Sequence, residues 1–452
     1  MTDRRLARRV EQADTYTFFN CLTDDQLLPI IDALLPPHRE RVFTPTLTLS
    51  MFMAQALSDD GSCQKAVDDL LAKRVCEQLP PCSVSTGAYC RARRRLPKAM
   101  ITELVTATGA LAKERVRAPW LWQGRSVKLV DGTTISMADT AENQADYPQQ
   151  SIQAPGLGFP IARLVALMCL ASGAVLNAAM GPYQGKGTGE GALLRTLLES
   201  FETGDVLLAD RYFCSYFIIA LLLRQGVDVL FEQHAGRKTD FRRGKRLGVR
   251  DHLIEWKRPT RPDWMTPEEY AEIPETLTLR EVKVGRKVLV TTLHCKRQAP
   301  PQELGRLFAS RWHVELDLRN IKSTLGMEVL RCKTPEMVVK EMWVYLLAYN
   351  LVRLLMLEAA AFVGVLPRQI SFKHTVQLWL AWSLRSLLTL ATNLNERLTL
   401  YELIASRIVG KRPGRVEPRA IKRRPKPYRL LNRTRCKARA QIRRTGHPKK
   451  LK

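Results

Sequence analysis

Residues 126–137 read SVKLVDGTTISM. Val127, Leu129 and Val130 are apolar, Thr133, Thr134 and Ile135 are β-branched, and Asp131-Gly132 stands between them. A short apolar, β-branched run beside a turn signal reads as a strand, here ending at Asp131 with a turn after it. The pattern returns in DVLLADRYF (205–213), where an apolar run after Gly204 ends at Asp210, directly before Arg211. An acid at the exit of a buried strand faces the edge where α/β sheets bind ligands. Two such carboxylates on neighbouring strands repel without a cation between them. Their oxygens suit hard divalent ions such as Mg2+. Aspartate is also common as a loop cap, and for either residue alone capping is the simpler account.

The rest of the chain arranges itself around these two strands. IARLVALMCLASGAVLNAAM (161–180) is apolar enough to suggest a membrane span, but it contains Arg163, Asn177 and a Ser172-Gly173 break. Two buried strands joined by a tight turn account for it better. EGALLRTLLESF (190–201) has leucines at helical spacing, and a helix around SYFIIALLLRQG and a strand VDVLFEQ follow Asp210. The order strand, strand, strand, helix, strand, helix, strand is that of the ribonuclease-H-like α/β core of polynucleotidyl transferases, though many α/β folds share such an order. Residues 236–295 interrupt this core with a mainly β insertion. There LTLREVKV and KVLVTTL flank Gly285-Arg286, a two-residue hairpin loop with glycine first, and basic, proline-rich loops with Trp256 and Trp264 precede it. Helices resume from Glu303.

Residues 1 to about 115 read as helices broken at Pro36-Pro37 and Pro80-Pro81. SVSTGAYCRARRRLP (83–97) concentrates Arg91, Arg93, Arg94 and Arg95 on one helix. That helix either lies on DNA, with a helix-turn-helix element as one form, or is a solvated basic surface; DNA contact is favoured. The expected organisation is an N-terminal helical DNA-binding domain (1–115), a first part of the catalytic core (116–235), the β insertion (236–295), a helical second part of the core (296–405) and a basic C-terminal tail (406–452).

Charge names a partner class. The chain of 452 residues carries a formal net charge of +27, which attracts polyanions, with nucleic acid ahead of anionic membrane. Residues 411–452 hold +17 of it, with Glu417 as the single acid, and are expected to be disordered until bound. The ten cysteines and seven histidines are scattered without zinc-ligand spacing, which suits a reducing cytosol. The N-terminal MTDRRLARRVEQADTYTFFN has no apolar core and does not read as a signal peptide.

A third acid comes from LGRLFASRWHVELDLRNIKSTLG (304–326). Read as one helix at about 100° per residue, Arg311, Glu315, Arg319 and Lys322 fall within roughly 80°, with Phe308 in the same sector. Leu307, Val314, Leu318, Ile321 and Leu325 form an apolar stripe beside them. Glu315 is then presented between cations, or simply pairs with Arg311 on a solvated face. Asp317 lies roughly opposite Arg311, so it is the wrong acid to choose and should tolerate asparagine.

This segment resembles the signature of the insertion-sequence-four family of DDE transposases: Tyr, two residues, Arg, three residues, Glu, six residues, Lys. Phe308, Arg311, Glu315 and Lys322 stand at those spacings, with phenylalanine in place of the tyrosine. LVDGTTISM and LLADRYFCSYF resemble the family's two aspartate motifs, and the β insertion between the second aspartate and the glutamate is similar too. The resemblance covers about residues 20 to 430. It implies a metal-dependent polynucleotidyl transferase with Asp131, Asp210 and Glu315 as catalytic and metal-binding residues, using Mg2+ or Mn2+. It implies double-stranded DNA as partner, as transposon ends and as target, and a second copy of the chain in the DNA complex. Water cuts one strand, the freed 3′-hydroxyl attacks, and the second strand is resolved through a hairpin. Arg311 and Lys322, with Arg319 and Arg211, would contact DNA. Phe308 lacks the hydroxyl that supplies one phosphate hydrogen bond. An aromatic residue would hold a flipped base, with Trp256, Trp264 and Trp312 as unranked candidates. A cytoplasmic protein bound to the nucleoid is expected.

Three other readings share part of this pattern. A metal-dependent nuclease without strand transfer uses the same three acids. A non-catalytic DNA-binding descendant of a transposase has no need of acids in a basic groove. A membrane-surface protein needs an apolar face that the basic tail lacks.

Overall fold

The apolar runs around Asp131 and Asp210 become strands of a single sheet. A computed structural model describes residues 27–37, 42–58, 60–76, 78–386, 394–409 and 431–447. β1 (Val127–Met137), β2 (Ile161–Cys169) and β3 (Val175–Pro182) form an antiparallel meander. β4 (Val206–Ala209) and β5 (Asp228–Glu232) run parallel to β1 on its other side. β6 (Lys245–Gly248), β7 (Asp251–Lys257), β8 (Thr276–Val284) and β9 (Lys287–Thr291) extend the sheet, giving the order β3-β2-β1-β4-β5-β9-β8-β7-β6. β10 (Val329–Leu330) pairs with the end of β1 at Ser136 and Met137.

Both faces of the sheet are covered, which is why its central strands read as unbroken apolar runs. Side chains alternate between two cores. Leu129, Leu164, Ala166 and Leu208 enter one; Val130, Val165, Leu167 and Leu207 enter the other.

The N-terminal helices are α1 (Leu27–Leu34), α2 (Pro45–Leu57), α3 (Cys63–Cys76), α4 (Gly87–Arg95) and α5 (Lys98–Glu114). α6 (Ala141–Asp146), α7 (Glu190–Arg195), α8 (Tyr216–Arg224) and α9 (Pro267–Glu272) lie between strands. After the sheet come α10 (Pro301–Ala309), α11 (Trp312–Arg319), α12 (Pro335–Val363), α13 (Phe372–Ser386), α14 (Leu394–Ala405) and α15 (Arg435–Thr445). α5 and α10 to α12 line the first core, and α7 and α8 line the second.

α5 approaches β3 so closely that a Cβ at Gly109 would lie 2.4 Å from the Val175 carbonyl oxygen. Asn350 of α12 bonds both the amide and the carbonyl of Val175 at 2.8 Å and also donates to Val105 and Thr108 of α5. This fully bonded amide fixes three elements together. α12 is long and apolar enough to cross a membrane by composition, yet 78% of its most apolar window is buried inside the protein, which makes it a core helix.

Several expectations meet this architecture directly. The two strands around Ser172-Gly173 are β2 and β3, and Gly173 takes φ 77° in their turn. The loop of β8 and β9 has Gly285 at φ 57°, the positive value its first position requires. Residues 236–295 do not stand apart as an interruption: β9 pairs with β5 and makes their strands part of the core sheet.

Other expectations need correction. β1 does not end at Asp131 but continues to Met137, because β2 pairs with it along its whole outer edge. The helix read over 190–201 is only Glu190–Arg195 followed by a 3-10 turn at Leu198–Ser200. The segment 304–326 is three pieces: α10, α11 and a π turn at Asn320–Thr324. Ser310 Oγ donates to the Leu307 carbonyl at 2.5 Å, the kind of side-chain back-bond that bends a helix. In the basic helix α4, Arg93 is buried, stacked 4.6 Å over Phe52 and bonded to Gln55, so it is structural; Arg91, Arg94 and Arg95 are exposed. Within the tail, Arg435–Thr445 is a helix capped by Thr434, not irregular chain. The N-terminal segment 1–26 and tail residues 410–430 and 448–452 lie outside the described residues.

Candidate active site

The register of the parallel pair brings the two aspartates together. Val127, Lys128 and Leu129 of β1 oppose Val206, Leu207 and Leu208 of β4, and pairing stops there. Continuing the same offset sets Asp131 level with Asp210, two residues past the last pair; strand alternation sends the Asp131 side chain to the face of Leu129, and Asp210 lies one residue past the end of β4. β10 joins this edge of β1 only at Ser136. The edge of β1 between Leu129 and Ser136 therefore lacks a strand neighbour on this side, and the site opens there.

α11 closes the site from the same face. Val314 and Leu318 bury against the first core, and the Glu315 carboxylate is held by Arg311. Arg311 lies between the acids: its guanidinium is 2.7 Å from Glu315 Oε1 and 3.5 Å from Asp131 Oδ2. One cation spanning both carboxylates shows that Glu315 and Asp131 converge. Lys322, turned by the π segment, reaches Thr133 Oγ1 of β1 at 3.3 Å. The spacing Arg311, Glu315, Lys322 thus brings three side chains to one place, although through a bent helix and a π turn rather than one straight helix.

Burial dominates the electrostatics of the site. Burial raises the Asp131 carboxyl to about 6, against the Gly132 amide and Arg311, which lower it; Asp210 and Glu190 add to the rise. The Gly132 amide donates to Asp131 Oδ1 at 2.8 Å, and the Tyr212 amide donates to Asp210 Oδ1 at 2.9 Å. Glu190, at the start of α7, is also raised, by burial first and by Asp210, with Arg163 opposing.

A consequence is testable without DNA or metal. In the unfolded chain an aspartate titrates near pH 4. A folded value raised to about 6 means that the Asp131 contribution to stability is fully present below pH ~4 and is lost as pH rises through about 6. Asp131→Asn is therefore expected to be more stable than the parent chain at pH 8, by on the order of 2–3 kcal/mol, with the difference vanishing near pH 4. Urea denaturation in chelator at both pH values measures it; an equal difference at the two values would contradict the electrostatic reading.

The donor set fits a hard divalent ion. All the donors are carboxylate oxygens, and the Arg311 guanidinium stands where a cation shared by Asp131 and Glu315 is needed. Among the described residues no three His, Cys, Asp or Glu side chains are close enough to enclose an ion.

The remaining sequence candidates divide. Arg211 and Arg319 are exposed and form no ion pair among the described residues. Phe308 is buried, with Lys287 of β9 lying 5.2 Å from its ring centroid. Beside Arg311, a cavity of about 260 Å³ is lined by Lys287, Leu289, Gly305, Phe308 and Trp312 among others. Trp312 is 55% exposed at this cavity. Trp256 is no candidate for a base, because it is buried and its indole N–H donates to Glu281 at 3.0 Å. Trp264 carries Arg195 stacked 3.7 Å over its ring.

Asp317 does point away from the other acids, but not to solvent. It is buried between Arg353 of α12, its ion-pair partner, and Arg368, 2.7 Å away. The expectation that asparagine is tolerated there does not survive that burial. Glu190, Arg163, Lys287 and the two arginines around Asp317 were missed from the sequence. Only Glu190 left a local trace, as an acid at the first turn of a leucine-patterned helix.

Comparison with known proteins gives the chain a family. Residues 122–351 match the family model of the transposase DDE domain, a span that includes Asp131, Asp210 and Glu315. The chain is 30% identical over 363 residues to the transposase InsG of insertion sequence element IS4 from Escherichia coli K12, covering 76% of this chain and 78% of that one. It is 27% identical over 147 residues to the putative transposase InsZ of the same organism, covering 32% of this chain and 47% of that protein. Among solved structures, a piggyBac transposase synaptic complex with hairpin DNA superposes with a TM-score of 0.43 at 12% identity, over 89% of this chain and 87% of the other.

Proposed function

Because the chain belongs to the insertion-sequence-four family of DDE transposases, we propose that it cuts DNA at transposon ends and joins them to target DNA at Asp131, Asp210 and Glu315. The observation that carries the reading is Arg311, one guanidinium bonded to both Asp131 and Glu315 at the end of the parallel strands. The sheet order β3-β2-β1-β4-β5, with β1 to β3 antiparallel and β4 and β5 parallel, supports a ribonuclease-H-like core. Residues 1–115 form the N-terminal helical DNA-binding domain, 116–405 a catalytic core whose sheet takes in the strands of 236–295, and 406–452 the basic tail.

Asp131, Asp210 and Glu315 would hold divalent ions, Mg2+ or Mn2+, which would supply activation of the attacking oxygen and charge stabilisation of the leaving one. The chain's own cations serve the DNA. Arg311 exchanges its carboxylate partners for a backbone phosphate, and Lys322 reaches phosphate from beside Thr133. Arg211 and Arg319, exposed at the rim, extend the grip. The cavity beside Arg311 suits an unstacked base: Trp312 offers an exposed ring and Lys287 a cation at its mouth. That arrangement favours hairpin formation, in which a strand is sharply distorted. The protein acts in the cytoplasm on double-stranded DNA, as a dimer on paired ends.

The test is incubation of the chain with labelled transposon-end DNA, target plasmid and Mg2+. Nicks at the end, hairpins and joined products are expected, all abolished by chelator. Cleavage without joining would mean a nuclease, and binding without cleavage would mean a non-catalytic descendant.

A further inference from the structure

The proposed reaction uses three carboxylates, and a fourth stands beside them. Glu190 opens α7, which packs on the second core, the face of the sheet opposite Glu315. Along β1 the side chain of Asp131 goes to the first face, so a side chain at residue 132 would go to the second. A Cβ at Gly132 would lie 2.3 Å from Glu190 Oε1 and 2.4 Å from its carboxyl carbon. The Glu190 carboxylate therefore rests on bare backbone next to Asp131, in space that any other residue at 132 would fill. Gly132 is absent from the positive-φ glycines, so the backbone does not require glycine there; the vacated space does.

Nothing nearby neutralises Glu190 by direct contact. Among the described residues its carboxylate takes part in no hydrogen bond or ion pair. Arg163, which faces it from β2, donates to the Thr188 carbonyl at 2.8 Å and stacks 4.9 Å from the Tyr183 ring centre. A half-buried carboxylate set against a strand that carries a second carboxylate, with Arg163 engaged elsewhere, has no cation in direct contact.

We infer that Glu190 is a fourth carboxylate of the catalytic centre, serving the divalent ions from the face of the sheet opposite Glu315. The inference rests on the metal-dependent reading of Asp131, Asp210 and Glu315. A carboxylate that only complemented the α7 dipole would contribute nothing to metal affinity.

The test reads Mn2+ binding to the full-length chain without DNA, by electron paramagnetic resonance of the free ion, with melting recorded alongside. Glu190→Gln removes the charge and keeps the shape. Gly132→Ala keeps every carboxylate but evicts the Glu190 side chain, a flexible group that can move. Both are expected to weaken Mn2+ binding about tenfold or more while melting as the parent does without metal. Unchanged affinity in Glu190→Gln, beside weakened affinity in Asp131→Asn and Asp210→Asn, would overturn the fourth-carboxylate role alone. Unchanged affinity in all of these variants would overturn the metal site itself and this inference with it.

Discussion

Glu315→Gln is expected to lower Mg2+-dependent nicking of end DNA by roughly a thousandfold, because a misplaced divalent ion forfeits several kcal/mol of transition-state charge stabilisation. DNA binding is expected to hold or to strengthen. Glutamine removes a negative charge close to where phosphate lies, and it releases the Arg311 guanidinium from its 2.7 Å contact. Arg311 then keeps only Asp131, at 3.5 Å, and is freer to meet phosphate. Single-turnover nicking beside a binding titration separates the two effects. A Glu315→Gln protein that nicks within about tenfold of the parent would remove Glu315 from the catalytic set. Loss of binding together with nicking would instead mark Glu315 as the residue that positions Arg311.

The two aspartates were legible because each ends a short run of side chains buried on both faces of a sheet, a pattern that depends on local sequence alone. Their alignment was not legible. It follows from the register of β1 against β4, which is set by packing and by β2 holding the other edge of β1. The same edge explains why Asp131 looked like a strand end: β4 leaves β1 at Leu129, while β2 accompanies it past Asp131.

The glutamate segment is not the one straight helix that its spacing suggested. A straight helix put Arg311, Glu315 and Lys322 in one sector, and the bend at Ser310 and the π turn at Asn320–Thr324 still bring them together. Contacts from distant parts of the chain were out of reach. No local pattern announces that Arg353 and Arg368 converge on Asp317, or that Glu190 fits against Gly132. Trp256 shows the converse: an aromatic in a basic loop region proved to be a buried side chain of β7 bonded to Glu281.

Asp317→Asn is expected to destabilise the protein by about 3–5 kcal/mol, the cost of removing one partner from a buried ion pair. Arg353 is 4% exposed and cannot shed its charge. Without Asp317 it keeps a hydrogen bond to Tyr349 Oη at 2.8 Å but no counter-charge. Arg368 suffers less, since it also donates to the carbonyls of Leu170 and Cys169. The loss should reach the catalytic residues as well. Asp317 stands two residues from Glu315 on α11, and its two arginines tie that helix to α12 and to the end of β2. Loosening these ties lets Glu315 drift from Asp131, so cleavage should fall with stability although Asp317 touches neither metal ligand nor DNA. Melting several degrees below the parent, with nicking impaired even at temperatures where the variant is folded, is the expected result. Adding Arg353→Met to Asp317→Asn removes the stranded charge and should recover part of the melting temperature. A variant that melts and cleaves as the parent does would mean that α11 is held by its leucines alone.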